Sequence, residues 1–375
     1  MKHYPRRDFL GKLSVLMSAF FAFIHKGNAK TINSNSMKNE TIKKIKPLGF
    51  QWETTDPFLF CVHHEDFFPK GNDNMGPEKR ELEGRDIGQD FIVKNGWRMY
   101  HGNTIPGFPR HPHRGFETVT VVRKGMVDHT DSLGGAGRYG GGDVQWMTAG
   151  KGVQHAEMFP LLNKDEENTM ELFQIWLNLP KSKKFAEPSY KMLWREDIPT
   201  YTHKDVNGNK TSINIIAGNI ENHTAPAPNI DSWANDKNNA VAIWTINMEK
   251  HAKFTFPSVQ AGSNRTLYFF KGKDLTIESK AIPPYHAVEI GNTDEFEVEN
   301  GNSESSLLLL QGKPIDEPVV QHGPFVMNTK EEIRDAFNDY QQTQFGGWPM
   351  AKIDPVHPRD KGRFALHSNG SEIVK

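Results

Sequence analysis

Two short histidine-containing segments dominate the interpretation of this chain: RHPHRGFETV at residues 110–119 and GKGVQHAEM at residues 150–158. Each segment contains two potential metal ligands that are separated by one residue. In a β-strand, side chains at positions i and i+2 point to the same face of the sheet. Two such strands side by side would therefore gather three imidazoles and one carboxylate around one point: His111, His113, His155 and Glu157.

This donor set predicts a site for one divalent metal ion. Imidazole nitrogens with one carboxylate suit Fe(II), and Mn, Ni, Cu or Zn are alternatives. The bound ion could polarise water, dioxygen or an enolate-type substrate oxygen. Glu117 competes with Glu157 for the carboxylate position, because in a continuous strand it would lie on the same face as His113, four residues earlier. The spacing alone leaves both carboxylates open.

The sequence around these segments predicts two tandem units of antiparallel β structure. Short β-rich runs such as 118–122, 172–177 and 241–246 alternate with turns, and the chain contains 32 glycines and 23 prolines. Runs of this length are typical of β-sandwiches and barrels. Asn300-Gly301, which follows the run at 296–299, is a hairpin signal.

One helix is predicted near the C terminus. Thr329 and Glu332 have the spacing of a capping box. The following apolar residues fall on one helix face: Ile333, Phe337 and Tyr340. Residues 219–239 are predicted to be a loop insertion, and the tail from Gly346 is predicted to lie over the surface.

The first thirty residues differ in character from the rest of the chain. Arg6-Arg7 precede an apolar run at 13–24, which is too short to span a bilayer comfortably. Small residues follow at 27–29, as a signal peptidase requires. The segment resembles a bacterial twin-arginine export signal, with a Sec signal or an uncut anchor as alternatives. We expect a periplasmic or exported protein, cleaved near Ala29, with no stable membrane span after processing.

Composition and charge exclude other classes of protein. Lys+Arg number 45 and Asp+Glu number 46, so the net charge is −1 and we expect no nucleic-acid partner. The single cysteine, Cys61, excludes an internal disulfide framework. The expected partners are a small-molecule substrate and O₂, and the chain is expected to be a monomer.

The two histidine segments, extended to residues 109–119 and 142–158, resemble motifs of the pirin family, as does EPVVQHGPFVMN at 317–328. The resemblance covers about residues 48–345. It implies an all-β bicupin, in which two double-stranded β-helix (jelly-roll) domains follow in tandem, with a short C-terminal helix. In this family the metal ligands are the histidines of H-P-H and the His and Glu of H-A-E, which favours Glu157 over Glu117. Those ligands fall on His111, His113, His155 and Glu157.

The resemblance also implies the domain organisation. Only the N-terminal domain is expected to bind metal, because the second domain shows Tyr285-His286 but no H-x-H pair. The predicted segments are a signal peptide (1–29), a flexible linker (30–46), an N-terminal metal-binding cupin (47–190), a metal-free C-terminal cupin (191–328), and a helix with a tail (329–375).

Some pirins resemble flavonol dioxygenases, which take quercetin and O₂, open the heterocyclic ring and release carbon monoxide. In such a reaction Glu157 would accept the proton of the substrate hydroxyl, with Glu117 as a ligand-supporting partner or reserve base. The candidate pocket walls are Phe108, Phe116, Trp146 and Met147. The main alternative is a non-catalytic iron-binding protein that responds to redox state and regulates or binds a partner. A cupin isomerase or small-molecule binder is a weaker third hypothesis.

Overall fold

The computed structural model describes residues 41–291 and 294–375. The predicted signal peptide and residues 30–40 of the predicted linker lie outside these ranges. Within them, strands dominate and one α-helix lies near the C terminus. No helix of the described residues is both long enough and apolar enough to cross a membrane.

The strands are numbered in chain order. The first eleven are β1 (Ile42–Pro47), β2 (Gln51–Trp52), β3 (Phe58–Phe68), β4 (Gly107–His113), β5 (Phe116–Lys124), β6 (Met126–Asp131), β7 (Ala136–Gly140), β8 (Val144–Thr148), β9 (Val153–Met158), β10 (Asn168–Asn178) and β11 (Ser189–Leu193). Next come β12 (Thr200–Lys204), β13 (Lys210–Ala217), β14 (Asn219–Ile220), β15 (His223–Thr224), β16 (Ala242–Met248), β17 (Lys253–Phe256), β18 (Asn264–Lys271), β19 (Leu275–Ile277), β20 (Lys280–Ile282), β21 (His286–Ile290), β22 (Phe296–Asn300), β23 (Ser305–Gly312), β24 (Val320–His322) and β25 (Phe325–Met327). The chain ends with helix α1 (Lys330–Thr343), β26 (Phe364–Leu366) and β27 (Glu372–Val374).

These strands form two β-sandwich domains. The N-terminal domain has one sheet of order β11-β8-β5-β10-β3-β2 and one of order β27-β26-β7-β6-β9-β4. The C-terminal domain has a sheet of order β1-β21-β18-β23-β16-β13-β12 and a smaller one of order β17-β22-β19-β20. Successive residues of a strand face opposite sides of its sheet, and central strands such as β5 and β23 are buried on both sides. The predicted all-β tandem fold with a short C-terminal helix is confirmed.

Three apolar cores hold the domains together. One core lies in the N-terminal domain and includes Val122 and Leu172. A second lies in the C-terminal domain and includes Trp244. The third joins residues of both domains, with Val119 from the first and Leu308 from the second. The N-terminal sheet that contains β5 and the seven-stranded C-terminal sheet therefore pack against each other through apolar faces.

Each end of the described chain joins the sheet of the other domain. β1 pairs antiparallel with β21 of the C-terminal domain. The prediction of a flexible linker is therefore wrong from Ile42 onward: Ile42 is buried, and Lys46 forms ion pairs with Glu53 and Glu289. At the other end, β26 pairs with β7 of the N-terminal domain.

The tail is more deeply embedded than the predicted surface segment. Phe364 and Ala365 are buried. The Arg138 guanidinium is buried beside Asp128 and donates hydrogen bonds to backbone carbonyls of the tail, including that of His357 at 3.0 Å and that of Lys361 at 2.7 Å. A buried charge needs such partners, so the tail is part of the N-terminal domain.

Two further predictions need correction. The boundary at 190/191 falls inside β11, which pairs with β8 and belongs to the N-terminal domain. Asn300-Gly301 does not close a hairpin, because β22 pairs with β17 and β19 whereas β23 pairs with β16 and β18 in the opposite sheet. The Asn300 side chain instead donates to the carbonyl of Glu249 at 2.8 Å.

The predicted capping box of α1 is confirmed. The Thr329 side chain accepts from the backbone N–H of Glu332, and the Glu332 carboxylate accepts from the backbone N–H of Thr329. Ile333 and Tyr340 are buried on one face of the helix. The segment 219–239 contains β14, β15 and two short 3₁₀ turns, so the predicted loop carries local structure.

Candidate metal centre

The paired strands β4 and β9 carry the predicted histidines. His111 lies opposite His155 in the register of this pair. One ring nitrogen from each of His111, His113 and His155 lies within 4.8 Å of the others. The structure therefore brings together three of the four predicted ligands, and it does so through the i, i+2 alternation of the strands.

The ring nitrogens of these histidines suit a metal ion. The Nδ1 of His111 lies 2.9 Å from the carbonyl oxygen of Pro109, so it carries the hydrogen and Nε2 keeps its lone pair. Both ring nitrogens of His155 are buried and have no hydrogen-bond partner within the described part of the chain. Buried polar atoms are rarely left without a partner. An ion shared by the three rings would bind one of the two nitrogens of His155.

Burial also keeps the three rings neutral, as metal binding requires. It lowers the pKa of His111 to about 4. Burial, reinforced by the neighbouring histidines, holds the pKa values of His113 and His155 well below the usual value. At neutral pH, protons therefore compete only weakly with a metal ion for these ring nitrogens.

Glu157 lies beside this cluster on β9. Its Oε2 is 3.7 Å from Nε2 of His155. The Gln174 side-chain amide donates to Oε2 at 3.0 Å, and the Thr120 hydroxyl lies 3.1 Å from Oε1. Burial raises the pKa of Glu157. The carboxylate is thus held next to the imidazoles by two polar neighbours, and its role as the fourth ligand stays a prediction.

The prediction that Glu117 shares a face with His113 is wrong. Gly115, with φ +86°, forms a turn between β4 and β5, so the strand is not continuous. A Cβ at this glycine would lie 2.0 Å from the carbonyl oxygen of Val326, so the tight approach requires glycine. On β5, Thr120 faces Glu157, whereas Glu117 points to the opposite face, where the domains meet.

Glu117 is instead part of a buried polar cluster. Its carboxylate accepts hydrogen bonds from the Trp146 indole at 3.1 Å, the Thr148 hydroxyl at 2.8 Å and the Ser232 hydroxyl at 2.6 Å. Burial raises the pKa of Glu117 to about 7. Ser232 belongs to the insertion, so this cluster ties the insertion to the N-terminal domain.

The aromatic surroundings of the histidines agree only in part with the predicted walls. Phe108 lies 6.3 Å from His111 and Phe116 lies 5.1 Å from His113, measured between ring centroids. Trp146 belongs to the apolar core between the domains, and Met147 belongs to the core of the N-terminal domain. Sequence analysis missed Trp176, whose ring stacks on Phe116 at 3.9 Å and lies 5.2 Å from His113.

A second polar pair next to the cluster was also missed. His129 and Asp131 on β6 lie opposite Glu157 and His155 in the register with β9. Both are buried, and Nε2 of His129 lies 3.1 Å from Oδ2 of Asp131. The i, i+2 spacing that revealed the ligands is present here too, so the same rule could have found this pair.

Helix α1 and the segment after it support the ligand strands from outside. Arg114, next to His113, forms an ion pair with Asp339. The Gln154 side chain, next to His155, donates to the carbonyl of Gln344 at 2.7 Å and accepts from the Tyr340 hydroxyl at 3.1 Å. Residues on both sides of the cluster are thus fixed by the C-terminal part of the chain.

The fold and the site together define a two-domain cupin with a candidate metal centre in its N-terminal domain. The family model described as Pirin matches residues 44–177, and that described as the Pirin C-terminal cupin domain matches residues 243–346. The chain therefore belongs to the pirin family.

Relatives support this assignment. Human Pirin is 35% identical over 253 residues, which span 66% of this chain and 80% of the human protein. Pirin-1 of Arabidopsis thaliana is 38% identical over 251 residues, again 66% of this chain and 80% of the relative. A solved structure of quercetin 2,3-dioxygenase from Acinetobacter baumannii is similar with a TM-score of 0.63 and 26% identity, covering 82% of this chain and 96% of that chain.

Proposed function

We propose that this protein is a metal-dependent dioxygenase that acts on flavonols such as quercetin, or on related enolic aromatic compounds. The observation that carries the proposal is the group of three neutral imidazoles, two buried and one half-buried, beside a buried carboxylate. The similarity to a structure named quercetin 2,3-dioxygenase supports the choice of substrate class. Iron is our first candidate for the metal.

The proposed roles follow from the positions of the side chains. A bound ion would supply positive charge for a substrate oxyanion and a site for dioxygen chemistry. His111, His113 and His155 would hold it. Glu157 would accept the proton of the flavonol 3-hydroxyl on a carboxylate oxygen, while Thr120 and Gln174 keep that carboxylate oriented.

The overall reaction is balanced without a further reductant. Both atoms of O₂ enter the ring-opened ester product, and one carbon of the flavonol ring leaves as carbon monoxide. Phe108 lies beside His111, is only half-buried and provides apolar surface for a flat ring system.

The test combines oxygen uptake and carbon monoxide release on quercetin with metal analysis. Glu157→Gln keeps the size of the side chain but removes the proton acceptor, so turnover should fall by about 10²–10⁴-fold. Glu117→Gln is the matched control on the opposite face of β5, and its turnover should stay near that of the wild type. If Glu117→Gln empties the site and Glu157→Gln does not, the ligand assignment is wrong.

A different outcome would favour the alternative function. If the wild-type protein binds metal but consumes no oxygen with any flavonol, the dioxygenase proposal fails. The protein would then be better described as a non-catalytic metal-binding regulator.

We also propose that the protein is exported by the twin-arginine route. The proposal rests on Arg6-Arg7 and on the small residues at 27–29. Replacement of both arginines by lysine should leave the precursor in the cytoplasm, as measured by fractionation. Undiminished recovery from the periplasm would exclude this route.

A further inference from the structure

A further histidine lies beside the candidate metal centre, in the long connection between β3 and β4. The ring centroid of His101 is 5.8 Å from that of Phe108, which is 6.3 Å from that of His111. His101, Phe108 and His111 are all half-buried, whereas His113 and His155 are buried. His101 therefore lies on the more exposed side of the centre.

The hydrogen bonding of His101 fixes which ring nitrogen carries the hydrogen. Its Nδ1 lies 2.8 Å from the carbonyl oxygen of Gly88. A carbonyl can only accept, so Nδ1 must be the donor. Burial lowers the pKa of His101, which favours the neutral ring. The other nitrogen, Nε2, therefore presents a lone pair and acts as a hydrogen-bond acceptor.

The surface next to this acceptor is aromatic. Phe91 packs edge-to-face against His101 at 4.8 Å and lies 6.4 Å from Phe108. Phe50, with 43% of its surface exposed, lies 6.3 Å from Phe91. A flat aromatic ring binds well to such a surface, and the imidazole adds a hydrogen-bond acceptor at its edge.

We propose that His101 determines substrate specificity by accepting a hydrogen bond from a phenolic hydroxyl remote from the reacting oxygen, while Phe91 and Phe108 contact the aromatic ring. The inference rests on the proposed function for the substrate class, a polyhydroxylated planar aromatic compound. It adds a residue that lies outside the two histidine segments and that no spacing rule connects to them.

The proposal predicts that ligands with and without the remote hydroxyl respond differently to the loss of His101. An apolar wall discriminates poorly between a ring with hydroxyls and one without, whereas a fixed acceptor favours the hydroxylated ring. Loss of the acceptor should therefore weaken one class of ligand and spare the other.

The experiment compares quercetin with 3-hydroxyflavone, which keeps the reacting 3-hydroxyl and 4-keto groups but has no other hydroxyl. The dissociation constants are measured without oxygen, by fluorescence quenching of the metal-loaded protein. In His101→Leu, the Kd for quercetin should rise about 10-fold, corresponding to one lost hydrogen bond, and the Kd for 3-hydroxyflavone should be unchanged. His101→Gln retains an acceptor and should recover part of the loss.

His203→Gln is the matched control. His203 lies on β12, is also half-buried, and packs edge-on to Phe254 at 5.5 Å in the other domain. It should change neither Kd. In steady-state assays, His101→Leu should raise KM for quercetin and leave kcat unchanged, whereas a general structural defect would lower kcat for both substrates.

The possible failures are distinguishable. Equal weakening of both ligands, no weakening of either, or no binding of either ligand by the wild type would overturn the role of His101. If the wild type binds quercetin but consumes no oxygen, the dioxygenase proposal fails, and the ratio of the two Kd values still decides the role of His101.

Discussion

The two cupin domains have the same architecture but different interiors. On the inward faces of the N-terminal strands lie polar side chains: His111, His113, Thr120, His129, His155, Glu157 and Gln174. The core of the C-terminal domain is built from apolar side chains such as Trp244, Phe256 and Leu267. The same alternation of strand residues thus places a ligand cluster beside the apolar core of one domain and builds an apolar core in the other. The comparison shows that the chemistry depends on which residues occupy the inward positions, and not on the fold itself.

The largest effect is expected from removing a ligand of the N-terminal domain. His155→Ala deletes an imidazole that lies among the other two rings, so metal content should fall from about one ion per chain to nearly none. His286→Ala is the control, because His286 lies on β21 in the C-terminal domain and is not part of the three-histidine cluster. Elemental analysis of both variants checks this contrast. Loss of the metal in His286→Ala would contradict it.

A substitution in the apolar core of the C-terminal domain should lower the stability of the protein and leave its metal content unchanged. Phe256 is fully buried and stacks on Phe296 at 4.8 Å. Phe256→Ala should lower the free energy of unfolding by about 3–5 kcal/mol through lost burial and a cavity. Denaturant titration measures the change. If the folded variant also lost its metal, the two interiors would not be independent.

Glu117 should make the contact between the domains sensitive to pH. Burial raises its pKa from the usual 4.5 to about 7, so the folded state binds the proton more tightly than the unfolded state. The stability from this group is present below pH 4.5 and is lost as pH rises to about 7, by at most about 3 kcal/mol. Glu117→Gln mimics the neutral acid and should flatten this part of the pH profile of stability, as measured by denaturant titration at several pH values. A profile as steep as that of the wild type would count against the assignment.

The smallest effect is expected from removing one hydrogen bond between helix α1 and the ligand strand β9. Tyr340→Phe removes the hydrogen bond to Gln154 at 3.1 Å and should cost about 1 kcal/mol. Metal content should be unchanged, because Gln154 keeps its bond to the carbonyl of Gln344. Thermal unfolding with metal analysis checks both statements. A large loss of metal would show that the histidines depend on α1 more strongly than their contacts suggest.

Local spacing was enough to predict the histidine cluster, because i, i+2 alternation acts within one strand. Local spacing failed for Glu117, because the turn at Gly115 ends the strand that carries His113. Glu117 lies on the next strand and points away from the histidines. The Asn300-Gly301 signal failed for a related reason: a turn sequence fixes a local bend but does not specify which sheet the next strand joins.

Residues brought together from distant parts of the chain could not be predicted. Trp176 and His101 reach the site from β10 and from a long connection, and neither has a fixed spacing to the histidine segments. The strand at Ile42–Pro47 also depends on a partner, β21, that lies more than two hundred residues later. Such contacts follow from the topology of the sheets, which a single sequence specifies only weakly.

Each end of the described chain pairs with the sheet of the other domain, and this arrangement affects the order in which the domains can fold during synthesis. β26 and β27 belong to the sheet that carries the ligand strands, yet the ribosome makes them after the entire C-terminal domain. Until then, buried Arg138 lacks the tail carbonyls that it binds in the finished protein. The domain that carries the histidines is therefore completed only after the strands of the C-terminal domain have been made. We therefore expect a stable metal site to form only after translation, and before export if the protein crosses the membrane folded.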